Sequence, residues 1–173
     1  MSLLNTGLDY INKLPPTDAE AEFLKCCGAS RWAHEMAVAR PFASADKVFA
    51  EADRVCARLT HEDWLEAFRA HPKIGEHKAA TAQTKEAQEW SAKEQSGLER
   101  ALTDTKTALA RGNVEYERRF GYIFIVCATG KTAEEMLDIL NRRLTNDEGT
   151  EIKMAAEEQR KITRLRLGKL LNQ

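Results

Sequence analysis

Apolar residues recur at three- and four-residue intervals through most of this chain, the spacing of amphipathic helices. Leu8 to Leu14 forms the first such stretch and ends at Pro15-Pro16. Thr17 and Glu20 read as a capping box for a helix running to Gly28. Ser30 opens a third helix through Trp32 and Met36, which stops before Pro41. Ser44 caps a fourth, carrying Val48, Phe49, Ala52, Val55 and Cys56 on its apolar face. Thr60 and Asp63 cap the segment to Ala70, with Trp64, Leu65 and Phe68 at helical spacing.

Gly75 to Glu89 is more polar and reads as a loop or weak helix. Ser91-Ala92-Lys93-Glu94 is a further capping box, predicting a helix toward Ala110 with Gly112 as its stop. A short helix from Asn113 follows, ending at Phe120-Gly121. Thr132 and Glu135 cap a helix with Met136, Leu137, Leu140 and Leu144 inside, and a last helix runs from about Glu148 to Leu171. No repeat or linker interrupts this order, so the reading is all-α: a single compact multi-helix domain over residues 1–173. The exception is Ile123 to Ala128, an apolar run between Gly121 and Gly130. It is either extended or a fully buried piece of helix. If extended it has no second strand to pair with, and its backbone groups need other partners.

Composition narrows the class. The chain has 173 residues, 43% hydrophobic and 31% charged, with net charge -1 and pI near 6.4. That balance favours neither nucleic acid nor an anionic membrane, so any anion must be held by a local site. The apolar run Tyr122 to Ala128 is too short to span a bilayer. No signal-peptide pattern stands at Met1-Ser2-Leu3-Leu4, and Leu171-Asn172-Gln173 is not a peroxisomal address, so a cytoplasmic location is expected. Cys26, Cys27, Cys56 and Cys127 lack metal-ligand spacing and read as reduced, partly buried thiols. His34, His61, His71 and His77 form no metal motif either, and no metal is expected.

The chemistry is concentrated at His71-Pro72-Lys73-Ile74-Gly75-Glu76. His71 lies three positions beyond Phe68 and continues its inward stripe, while Pro72 forces the chain out of helical geometry. An imidazole fixed at a helix end is either a proton donor or acceptor, or a core histidine satisfied by a carbonyl. Gly130-Lys131-Thr132 after an apolar run imitates a phosphate-binding loop, but the required earlier glycine is replaced by Ile125. Thr132 is then a helix cap. Around Ser91, capping accounts for Ser91 and Glu94, yet a helix N-terminus also attracts anions, and Glu94 and Gln95 could act on one there. Arg166 falls on the side of the last helix that carries Ile152, Ala155, Ile162 and Leu170. It either meets an anion or makes a structural contact. Gln159 and Lys169 lie near the same face.

Taken together these pieces resemble the 2-oxo-4-hydroxy-4-carboxy-5-ureidoimidazoline (OHCU) decarboxylase family. The matching residues begin with Ser30-Arg31-Trp32, Met36, Arg40-Pro41-Phe42 and His71-Pro72. They continue through Trp90-Ser91, Glu94-Gln95-Ser96-Gly97, Phe120-Gly121 and Phe124 to Ala128. Arg143-Leu144, Asn146, Glu151 and Lys161 to Leu167 complete the set, from about Leu8 to Leu170. Thr129 departs from the pattern, since some relatives carry a basic residue there.

The resemblance implies an all-helical fold, usually dimeric, with no cofactor, converting OHCU to (S)-allantoin in urate breakdown. It makes His71 the proton donor and Glu94 its acid/base partner. Pro72, the turn Ser91, Ala92, Lys93 and Gln95, the segment Phe124, Ile125, Val126, Cys127 and Ala128, and Arg166 would bind the substrate. A non-catalytic helical module that binds a partner helix is the other reading of the same pattern.

Overall fold

In a computed structural model, residues 6–73 and 103–173 are described. They contain eight helices and no strand. In chain order these are α1 (Thr6–Lys13), α2 (Pro16–Cys26), α3 (Ser30–Val38), α4 (Ala45–Cys56) and α5 (His61–Arg69). After residue 102 come α6 (Thr103–Phe120), α7 (Ala133–Arg143) and α8 (Glu148–Leu171). The expected Ser91–Glu94 cap and the Gly75–Glu89 loop lie outside the described residues. The chain divides into two units, Met1–Ala67 with Arg160–Gln173, and Phe68–Gln159.

The first unit is an apolar core built from α1 to α4 and the C-terminal part of α8. Phe23 meets Trp32 edge-on, with ring centroids 6.0 Å apart, and Phe42 similarly at 6.4 Å. Ile11, Met36, Val48, Val55, Leu167 and Leu170 are buried around them. Two side chains, Arg40 of the motif and Asn12, tie the helix ends. Arg40 donates to the carbonyls of Ala37, Ile11 and Leu14, the last two at 2.7 and 2.8 Å. These are main-chain acceptors at helix C-terminal ends, which have no partner within their own helix. Asn12 clasps the main chain of Phe42 from both sides, at 2.9 and 2.8 Å. The Arg40-Pro41-Phe42 motif therefore has a structural task. Gly7 lets α1 approach α8: a Cβ there would stand 2.4 Å from the Leu171 carbonyl oxygen.

Several local expectations hold. Thr60 and Asp63 cap α5 reciprocally, Ser44 accepts from the Lys47 amide, and Thr132 with Glu135 forms a complete capping box on α7. One does not. Helix α2 starts at Pro16, the favoured first-turn position for proline, so Thr17 is already inside it and caps nothing. Glu20 instead meets His34 at 3.1 Å. Ser30 begins α3 as expected, and the helix ends before Pro41; the Ser30 hydroxyl and amide, the latter at 3.1 Å, both donate to the Glu66 carboxylate.

Gly112 does not stop a helix either: α6 runs through it without a break to Phe120. A Cβ at Gly112 would stand 2.5 Å from Leu140 Cδ2, so the glycine gives α7 room. Leu140 and Met136 are buried as expected on α7. Leu137 and Leu144 are only half-buried, and Arg143 is buried at the helix end.

All four cysteines are free, as expected, and all four are buried. No helix among the described residues is long and apolar enough to cross a membrane.

Candidate active site

His71 stands just beyond the C-terminus of α5, where its amide closes the last turn onto the Phe68 carbonyl at 3.1 Å. Pro72 cannot continue that hydrogen bonding, and the chain leaves the helix there. The imidazole is half-buried, and its Nε2 lies 2.6 Å from Oε1 of Gln159 on α8. Phe68, one turn earlier, packs on Tyr122 with ring centroids 5.2 Å apart. Lys73 then ion-pairs with Glu117 of α6 at 2.7 Å, fixing the chain on the other side of Pro72. The expected inward orientation of His71 is observed, but its partner is a side-chain amide rather than a backbone carbonyl.

The Phe120-to-Gly130 connection resolves the choice left open by its sequence. Residues 123–128 are neither helix nor strand. Three of their main-chain groups are met by side chains instead, and the Ala128 carbonyl by the Lys131 amide. Arg143 donates through Nη1 to the Ile125 carbonyl, Glu158 accepts from the Cys127 amide at 2.7 Å, and Lys131 donates to the Cys127 carbonyl at 2.8 Å. This last contact also ends the phosphate-loop resemblance: Lys131 is turned back on its own segment, and Thr132 caps α7.

Arg143 itself is the centre of a buried network that sequence reasoning did not assign. Its guanidinium is 2% exposed and bonds Glu151, which is wholly buried, through Nε at 2.7 Å and Nη2 at 2.5 Å. Tyr116 donates its hydroxyl to the same carboxylate, and Asn146 donates to the other carboxylate oxygen at 2.9 Å. The guanidinium also lies 4.7 Å from the Phe124 ring centroid.

Burying two charges is tolerable only when each is fully hydrogen-bonded, and here four side chains share the task. The network clamps Ile125, and with it the shape of the 123–128 segment. Burial, partly opposed by Arg143, pushes the Tyr116 hydroxyl far above its ordinary range, so it remains a donor. Arg143, Asn146 and Glu151 carry part of the family pattern, but nothing local in the sequence marks them as partners. Only the stripe Glu151, Ala155, Gln159, Thr163 along α8, three of its four residues polar, could have hinted that polar side chains face inward there.

Arg166 belongs to the first unit and is 2% exposed. It donates to the Lys25 carbonyl at 3.4 Å, near the C-terminus of α2, where unpaired carbonyls favour a cation. Cys26 and Cys27 are close enough for its charge to oppose the upward push that burial gives both thiols. Glu94, Ser91, Ala92, Lys93 and Gln95 lie outside the described residues. Among the described residues, no group of three or more His, Cys, Asp or Glu side chains could hold a metal.

The described residues thus define an all-α protein that holds a histidine at a helix end and, in the same unit, clamps an irregular apolar segment by buried charge. The chain belongs to the OHCU decarboxylase family, whose model matches residues 12–168. A 2-oxo-4-hydroxy-4-carboxy-5-ureidoimidazoline decarboxylase of Haloferax volcanii is 30% identical, over 92% of this chain and 93% of its own. The uric acid degradation bifunctional protein TTL of Arabidopsis thaliana is 36% identical over 88% of this chain, which spans only about half (47%) of that longer protein. A crystal structure of an OHCU decarboxylase in the presence of (S)-allantoin matches with a TM-score of 0.75 and 35% identity, covering 88% of this chain and 99% of that one.

Proposed function

We propose that this protein decarboxylates OHCU to (S)-allantoin in urate breakdown, as a carboxy-lyase whose proton chemistry is run by His71. The observation that carries the reading is the family match across residues 12–168, which includes His71-Pro72 and the clamped 123–128 segment. That one match extends through both units and supports their acting as one functional domain over residues 1–173.

The substrate explains why a histidine can suffice. Its carboxylate leaves from a ring carbon adjacent to a C=N bond. As the C–C bond breaks, its electron pair forms a double bond to the neighbouring carbon, the C=N pair passes to the ring nitrogen, which takes up one proton, and carbon dioxide departs. The hydroxyl on the same carbon then gives up its proton to become the ring carbonyl. The neighbouring carbon, which bears the ureido group, takes one proton and becomes the stereocentre of allantoin.

His71 is assigned that proton transfer, since imidazole changes charge near neutral pH. Glu94 is assigned the hydroxyl, which it orients or deprotonates. Phe124 to Ala128 offer backbone groups to the ring and ureido amides. The carbonyls of Ile125, Cys127 and Ala128 and the Cys127 amide are already engaged, which supports Phe124 and Val126 as the foremost positions to present theirs. Pro72, Ser91, Ala92, Lys93 and Gln95 complete the substrate surface. Arg166 supplies the buried positive charge for the substrate carboxylate. No cofactor takes part. The protein works as a homodimer in the cytoplasm, without nucleic acid or membrane.

The test is to generate OHCU in situ from urate and follow its decay and the optical activity of the product. Decay accelerated over the spontaneous reaction, with a single enantiomer accumulating, is expected. Spontaneous decay giving racemic allantoin would reject the assignment and favour a non-catalytic helical module.

A further inference from the structure

Gln159 is the one wholly buried amide side chain recorded among the described residues, and it lies on α8 between buried Glu151 and Thr163. A primary amide removed from water costs free energy unless it is hydrogen-bonded. Here Oε1 of Gln159 lies 2.6 Å from His71 Nε2, across 88 positions of chain and within one unit. A carbonyl oxygen only accepts, so the ring nitrogen facing it must carry a proton. We infer that Gln159 is a positioning residue: it holds one proton of His71 on Nε2, so that Nδ1 is the nitrogen that exchanges a proton with the substrate.

The inference rests on the decarboxylase reading for what Nδ1 does, but not for where the proton sits. An imidazole that donates and recovers a proton alternates between a neutral ring and a cation. In the cation both nitrogens carry hydrogen, and in the neutral Nε2–H form Nε2 still does. The Gln159 oxygen therefore satisfies Nε2 in both states, and the ring cycles at Nδ1 without rearranging its support. With the amide nitrogen in that place instead, the cation would set two donors against each other. A histidine's working nitrogen is commonly chosen by the hydrogen bond on the other one. A core glutamine chosen only for packing would have no reason to set the tautomer.

The experiment uses the full chain labelled with nitrogen-15, with the His71 ring resonances identified by their loss in His71→Asn. At a pH where the ring is neutral, the wild type is expected to show a protonated Nε2 and an unprotonated Nδ1. Gln159→Met keeps the side-chain length and removes the acceptor, and is expected to let the two tautomers mix. Its kcat for OHCU should fall about ten- to a hundredfold with KM changed less than about threefold. Gln159→Glu, which keeps an acceptor, should retain the Nε2–H form.

A proton on Nδ1 in the wild type, or an unchanged ring pattern in Gln159→Met, would overturn the inference. The wild-type spectrum alone decides it should Gln159→Met fail to fold. A chain that fails to make allantoin while showing the Nε2–H ring would refute the decarboxylase reading and leave the tautomer assignment standing.

Discussion

The two units hold their main chain by different means. In the first, Phe23, Trp32 and Phe42 pack edge-to-face in an apolar interior, and Arg40 and Asn12 work on the ends of helices and on main-chain groups. In the second, Arg143, Glu151, Tyr116 and Asn146 put charge inside the unit, and the object they hold is an irregular segment rather than a helix end. A helix satisfies its own backbone, so apolar packing is enough to place it. A segment that is neither helix nor strand must have its amides and carbonyls met from outside, and buried charged side chains do this with the shortest reach. The unit that carries His71 is thus also the one in which a buried ion pair holds an irregular segment.

The sharpest way to break this comparison is Arg143→Ala. Removing one member of a buried pair strands Glu151 and releases the Ile125 carbonyl. The expected cost is about 3–5 kcal/mol by denaturant unfolding, and allantoin formation should fail even in the fraction that remains folded. Phe23→Ala, in the apolar unit, should cost a similar ~3–5 kcal/mol through lost burial and a cavity. Its folded fraction should keep its activity. Equal losses of specific activity in the two variants would erase the distinction drawn here.

A smaller effect separates two glycines. Gly7→Ala drives a methyl group against the Leu171 backbone, which cannot yield locally, and should cost about 1–3 kcal/mol. At Gly112 the obstacle is the tip of Leu140, a flexible side chain, and alanine also favours a helix interior by roughly 0.5–1 kcal/mol. Gly112→Ala should therefore be close to neutral in thermal unfolding.

Alkaline pH sharpens the comparison further. Burial pushes the Cys27 thiol in the first unit from 9.0 up to about 11, and the Tyr122 phenol in the second from 10.0 up to about 12. Both groups are neutral when protonated, and both folded values exceed the unfolded ones. Their contribution is complete below about pH 9 and is lost as pH rises, through 9 to 11 for the thiol and 10 to 12 for the phenol. Unfolding monitored from pH 8 to 11 should show stability falling steadily above 9, with Cys27→Ala reducing the slope. A flat profile would mean the thiol is not held protonated by its surroundings.

Much of the helical order was legible because its signals are local. Thr60 with Asp63, Ser44 and Thr132 with Glu135 each needed only three or four residues to be read, and each forms as expected. The misreadings came from signals whose meaning depends on something not adjacent in sequence. Thr17 and Glu20 have capping spacing, but Pro16 had already set the helix start. Gly112 looks like a stop until α7 is seen lying against it. The same limit applied to the site. His71 was readable from Phe68 and Pro72, whereas Gln159 and Arg143 acquire their roles only from residues 88 and 18 positions away.

The most direct test of the account is His71→Asn, assayed with OHCU generated in situ while rate and optical rotation are recorded together. The account predicts a rate lowered by about a hundredfold or more, with what allantoin forms being racemic and the thermal midpoint little changed. A folded His71→Asn protein that still makes (S)-allantoin at the wild-type rate would contradict it.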